Sequence, residues 1–456
     1  MSKSSFFAVL LCLTQTVSAQ MPNTISKADK VYGLSRFWQE VNYNFIYLDK
    51  VDRDMWDNEY KKLIIEVQDT PDDYAYYRLL QQFCALLKDG HTNVYFPDTV
   101  QKNLYNTYFG EYRLFMSNID GKAIVTRVNA SKKDEIPIGS EVVAVNGQTT
   151  SDYLAEKVVL YISSSTDYIL ADRAVQMMFQ APIGTSFDIT IKQPDGVRKT
   201  LKLTHAETLE KEVYPPFEQW GLLQFKWMEN GAAYLALNSF DNPKIDTLFL
   251  EILPELYKAK KLIVDLRNNG GGSTGVGRII LEYLTNDTLL YGSRQQSRLH
   301  IPSFKAWGMW TAETDTAGNA WATQEYLSYR DRFYHQFPYA PDTVRLQEKR
   351  LVVPTVLLIG HETASAAEDF LIYADNQKHM FKIGEETYGS TGQPIMFKLP
   401  GGGSARICTK KDTYPDGREF VGYGIQPDLV VRKSLADYMN DHDPALEAAL
   451  NYLKDK

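Results

Sequence analysis

Cysteine is scarce in this chain, positive charge is in deficit, and long apolar runs are absent beyond the first twenty residues. Only 3 of the 456 residues are cysteine, which excludes a disulfide framework built on several closely spaced pairs. Cys12 lies in an N-terminal apolar stretch behind the bulky Leu10 and Leu11, and is not read as a lipid-attachment cysteine. Cys84 and Cys408 remain, far apart in sequence, enough for one disulfide at most. The net charge of −8 and the lack of a basic stripe exclude a nucleic-acid binder. No later segment approaches the roughly 20 apolar residues of a membrane span, so no integral span is expected in the mature chain. The 7 histidines form no cluster with cysteine or glutamate at ligand spacing, so neither a metal nor an organic cofactor is expected.

What is present is an ordinary globular composition, 44% hydrophobic and 23% charged, long enough for several domains. The first 19 residues read as an export signal. Lys3 supplies the positive start, Phe6 to Leu13 the apolar centre, and Val17-Ser18-Ala19 the small-residue cleavage site. A periplasmic or secreted protein is therefore expected.

Periodicity divides the rest. Residues 20–104 read as a helical domain, with Val31, Leu34, Phe37, Trp38 and Val41 near a 3.6 period in Lys27 to Asn44. A second such helix, Tyr74 to Leu87, ends at Lys88-Asp89-Gly90-His91-Thr92. Residues 105–208 turn to short strands, Lys122 to Val128, Glu141 to Val145, Ser186 to Lys192 and Lys199 to Leu203, around a mostly helical Tyr153 to Met178. From 209 to 456 strands and helices alternate, which predicts an α/β core. An aromatic-rich insert at about 290–348 either lines a substrate groove or packs over the core, and packing is the expected role.

Chemistry concentrates in two segments of that core. Thr363-Ala364-Ser365-Ala366-Ala367-Glu368-Asp369 joins an apolar strand to a helix. A serine there either caps the helix or exposes a nucleophilic hydroxyl at the positive end of the helix dipole. Asp265-Leu266-Arg267-Asn268-Asn269-Gly270-Gly271-Gly272 follows another apolar strand. Its glycines let backbone N–H groups approach a ligand, as an oxyanion hole requires. It lacks the Gly-Lys-Ser/Thr ending of a nucleotide-binding loop.

Together with Gly384-Glu385, Thr387-Tyr388-Gly389 and Gly422 to Asp428, these motifs resemble the C-terminal-processing and tricorn-type serine peptidases. The resemblance implies an α/β multidomain protein with a crotonase/ClpP-like catalytic core and a PDZ-like domain, whose clearest stretch is Ile136 to Gly147. It implies Ser365 as nucleophile, and the N–H groups of Gly271 and Ala366 as the oxyanion hole. Bacterial processing enzymes take their base from a lysine twenty-five positions after the serine, where this chain has Ser390. The tricorn-type branch uses a histidine at the end of the helical block, and His91 stands there. An imidazole with a pKa near 6.5 suits a general base.

His361 is the rival base, but its loop position directs it away from the serine. The residues that orient histidine in the tricorn-type branch correspond here to Gly90 and Val421, so Ser390, Glu419 and Asp89 are the supporting candidates. Glu419 shares a strand face with Val421 if that segment is extended. The expected function is an exported serine endopeptidase acting through an acyl-enzyme on polypeptide substrates, recognising their C-termini. The alternatives are an inactive homologue that binds apolar ligands or peptides, and, less favoured, a crotonase-like acyl-CoA enzyme.

Overall fold

Ser26, Asp52 and Asp72 each place a side-chain oxygen on a backbone N–H one turn ahead, and each starts a helix: Lys27–Asn44, Arg53–Glu66 and Asp73–Ala85. These come from a computed structural model that describes residues 21–228 and 231–456; the expected export signal lies outside the described residues. Leu34, Phe37 and Val41 of the first helix are buried, and Trp56 of the second stacks on Phe83 of the third at 3.8 Å between ring centroids.

The strands expected between 105 and 208 form one antiparallel sheet, with Arg198–Thr204, Ser186–Lys192, Glu141–Val145, Lys122–Asn129 and Tyr112–Ile119 side by side. The helices Thr150–Lys157 and Asp167–Gln176 accompany it, and Phe109, Val125, Val145, Phe179 and Ile189 fill its own core.

The core sheet runs Leu223–Trp227, Ala233–Leu237, Leu262–Asp265, Thr355–Ile359, Met380–Gly384 and Leu429–Val430. Every neighbouring pair after the first is parallel. The central strands are buried on both faces, which is why they read as continuous apolar runs. Lys244–Leu256, Thr274–Glu282 and Ala366–Ala374 cover one face, and Pro444–Lys454 the other. The apolar stretch ahead of the serine loop becomes strand only at Thr355, because Pro354 has no N–H to offer the ladder.

A smaller sheet ties the helical block to the core. Asn93–Tyr95 pairs antiparallel with Ser404–Cys408, which pairs with Pro394–Lys398. The strand after His91 is thereby clamped to the core, with Asn93 opposite Arg406.

Two expectations need correction, and one open possibility closes. The tryptophans of the insert do not pack over the core: Trp307, Trp310 and Trp321 are exposed, and Trp307 and Trp321 gather around Phe304. Cys84 and Cys408 are both buried and free, so no disulfide joins them. The segment Gly417–Tyr423 is turn and irregular backbone rather than strand, which removes the face Glu419 was to share with Val421.

Candidate active site

The Asp265 motif is anchored before its glycines begin. Asp265 is buried, accepts a hydrogen bond from the Tyr234 hydroxyl at 2.8 Å, and is gripped by the Arg267 guanidinium, which reaches across to Asp443 at 2.8 Å. Two carboxylates raise the Arg267 pKa further and fix the loop's departure angle. Asn269, fully buried, donates to the Leu237 carbonyl, and its backbone carbonyl accepts the Ala364 N–H. The glycine turn is thus strapped both to the sheet and to the serine loop.

Gly271 has φ +96°, a conformation that side chains resist. A Cβ there would lie 2.7 Å from the Ala364 carbonyl oxygen, 2.8 Å from Ser365 Cβ and 2.9 Å from the Ala366 nitrogen. Only glycine lets the two loops touch. Gly271→Ala is therefore expected to push the serine loop aside and lower kcat by about 100-fold or more, the scale of losing an oxyanion donor. Steady-state hydrolysis of a peptide substrate checks it; unchanged kcat in the folded variant would contradict this packing.

Ser365 carries φ 56° and ψ −118°, where non-glycine residues are rare. Such strain persists only when its surroundings enforce it. Glu368 is the enforcer. Its Oε2 accepts the Ser365 N–H at 3.0 Å, and its Oε1 accepts the Thr387 hydroxyl at 2.6 Å and the Gly389 N–H at 2.8 Å. Burial pushes this carboxyl up to about 8 against the pull of its three donors. Ser365 stands at the helix N-cap, yet its side chain makes no capping hydrogen bond. The hydroxyl is therefore not consumed by capping. The Ala366 N–H, first in the helix, has no intramolecular acceptor among the described residues. The Gly271 N–H goes instead to Asn269 Oδ1 at 2.9 Å.

His91 joins the same hydrogen-bond network through Ser390, whose hydroxyl lies 2.7 Å from Nδ1. Ser390 is fully buried and follows Gly389, so Glu368 links the serine loop to the histidine's partner. Gly90 makes room: a Cβ there would meet Ser390 Oγ at 2.9 Å and the Tyr388 ring at 2.8 Å. The His91 ring and the Ser365 hydroxyl share no hydrogen bond among the described residues, and Nε2 is the nitrogen that Ser390 leaves unused. Burial, then Arg406 and Lys410, lower the His91 pKa to about 4. At neutral pH the ring is uncharged and able to take a proton.

The remaining candidates lie elsewhere. Glu419 directs its carboxylate to Lys411 and Lys50, not to the imidazole. Asp89 supports the histidine turn from below: it accepts the Thr92 hydroxyl at 2.6 Å and the His91 backbone N–H. His361 pairs with Asp172 at 2.6 Å and stacks on Tyr168, and that carboxylate raises its pKa against the opposing effect of burial. Glu368 had no assigned role in the sequence reading, although Ser-x-x-Glu at a helix start is the signal of a glutamate reaching back to the cap.

Residues 231–431 match the family model described as Peptidase family S41. The chain is 23% identical over 458 residues to a carboxyl-terminal-processing protease of Picosynechococcus sp., spanning 97% of this chain and 94% of that one. It is 27% identical over 195 residues to a carboxyl-terminal-processing protease of Synechocystis sp., spanning 42% of this chain and 36% of that one. Among solved structures, mature CPAF shares the fold at 16% identity, with a TM-score of 0.64 over 94% of this chain and 96% of its own.

Proposed function

Because its core, residues 231–431, belongs to peptidase family S41, the chain is a serine-type peptidase, and we propose that Ser365 is the nucleophile and His91 the general base. The observation that carries this reading is the strained Ser365 backbone, held by Glu368 on the same network that seats His91 through Ser390. Strain of this kind at a helix N-terminus presents a hydroxyl beside the unused first N–H of the helix.

In the proposed reaction, His91 Nε2 takes the Ser365 hydroxyl proton as Oγ attacks the scissile carbonyl. The carbonyl π pair moves onto oxygen, and the Ala366 N–H stabilises the oxyanion. Gly271 supplies the second donor, because a charged oxyanion outcompetes the neutral Asn269 amide oxygen for its N–H. Collapse expels the amine, which takes the proton from the imidazolium. Water, deprotonated by His91, then releases the acyl group and restores Ser365. Ser390 keeps Nδ1 engaged throughout and so presents Nε2.

The substrates are polypeptides, taken at their C-terminal regions, as the names of the aligned relatives suggest. We read the sheet unit at 105–208 as the PDZ-like domain, residues 20–104 as the helical domain, and 209–456 as a crotonase/ClpP-like core. Export after Ala19 completes the proposal. Among the described residues no helix is long and apolar enough to cross a membrane.

Fluorophosphonate labelling tests the reading. The native protein should label covalently, and digestion should place the adduct on the peptide containing Ser365. An unlabelled protein, or an adduct on another serine, contradicts it.

A further inference from the structure

A cavity of about 470 Å³ opens where the helical block, the 105–208 unit and the core meet. It borders the active-site network directly: Gly90 precedes His91, and Tyr388 donates its N–H to the Thr363 carbonyl at 2.9 Å. Its lining is unusual for a chain of net charge −8. Two arginines, Arg173 and Arg406, face it with aromatic rings and amide side chains, and no Asp or Glu among the described residues lines it.

Neither arginine is neutralised inside the cavity. Arg406 gives Nε to Asn93 Oδ1 at 2.8 Å and Nη2 to the Gly90 carbonyl at 3.2 Å, both uncharged acceptors, and makes no ion pair among the described residues. The acid that feels its charge, Asp89, is buried beneath the turn and committed to Thr92 and the His91 N–H. Arg173 gives Nη1 to Gln176 Oε1 at 2.9 Å and Nη2 to Glu362 at 3.0 Å, both partners outside the cavity lining and Glu362 half exposed. The rings beside them, Tyr388 near Arg173 and Tyr95 near Arg406, are weak partners for a cation.

We infer that this cavity is a specificity pocket for a carboxylate of the polypeptide substrate, received between Arg406 and Arg173. The inference rests on the peptidase reading above and names the substrate class it prefers. Arg406 Nη1 has no partner among the described residues, and Arg173 can exchange its exposed Glu362 for another carboxylate; a neutral amide of the same size would satisfy these donors poorly. The carboxylate belongs either to an Asp or Glu side chain near the scissile bond or to the substrate's own C-terminus.

Both sources enter one experiment. Hexapeptides carrying Glu, Gln or Lys at each position in turn, made as free acids and as amides, are measured for binding to Ser365→Ala by fluorescence anisotropy and for cleavage by the native protein. One position should favour Glu over Gln by about tenfold or more, or the acid should beat the amide by that margin. The first result assigns a side-chain carboxylate and the second the terminal one. The preference should shrink with salt and collapse in Arg173→Gln/Arg406→Gln. If that pair fails to fold, the partly exposed Arg173→Gln alone should still weaken it severalfold.

Equal binding of Glu and Gln peptides and of acids and amides overturns the pocket, as does a preference undiminished in the arginine variants. Failure of the peptidase reading looks different: no peptide is cleaved and no phosphonate adduct forms, while the binding preference of Ser365→Ala persists.

Discussion

Ser365→Ala is expected to lower peptide hydrolysis by about 10³-fold or more and to eliminate phosphonate labelling, leaving the fold intact. The backbone strain at this position, φ 56°, is imposed by Glu368 and by Gly271, not by the hydroxyl, so alanine inherits the same conformation. The side chain also makes no capping hydrogen bond whose loss would weaken the helix. Thermal unfolding should therefore barely move while activity disappears. Only oxyanion and binding contributions would remain to accelerate the reaction. Labelling that survives in folded Ser365→Ala protein would relocate the nucleophile, and a large fall in Tm would mean that the hydroxyl supports the fold.

The second large effect is at His91. His91→Ala should cost about 10³-fold or more, as loss of the base in a serine triad does. His361→Ala should leave turnover nearly normal, because that ring is paired with Asp172 on another unit. Ser390→Ala removes the hydroxyl oxygen that accepts the Nδ1–H in the base-competent tautomer and should cost close to tenfold. The pH profile gives an independent reading. Protonated imidazole cannot accept the serine proton, and burial with two nearby cations holds the His91 pKa at about 4. Free-enzyme kcat/KM should thus rise with pH through about 4 and be flat near neutrality. A midpoint near the ordinary 6.5 would mean that the ring is more solvated or better paired in solution. Retained activity in His91→Ala would remove histidine 91 from the mechanism.

The departure at the orienting residues has a steric explanation. With Gly90 ahead of the histidine, the volume that any side chain there would take is filled by Ser390 Oγ and Tyr388. Ser390, at the position of the lysine base in the processing enzymes, serves the histidine instead. A hydroxyl brings no charge, which is consistent with the low pKa of an imidazole that is buried, lies near Arg406 and Lys410, and has no carboxylate hydrogen-bonded to its ring.

The sequence by itself determined the long helices, the buried strands of the core and the chemistry-bearing loops, because those are written in local terms. A 3.6 period marks Lys27–Asn44, apolar runs mark Ala233–Leu237 and Thr355–Ile359, and the glycines of 270–272 announce a close backbone approach. Motif order is also what nominates Ser365 and His91 as the proposed catalytic pair. What only the tertiary structure decided are relations between residues hundreds of positions apart. The pairing of Asn93–Tyr95 with Ser404–Cys408 carries Arg406 to the Gly90 carbonyl, and no periodicity encodes a partner at that distance. The fate of Glu419 turned on whether its segment was extended; a turn sent the carboxylate to Lys411. Glu368, given no role from sequence, joins the serine loop to Thr387 and Gly389, because burial left its second oxygen to be satisfied by another loop.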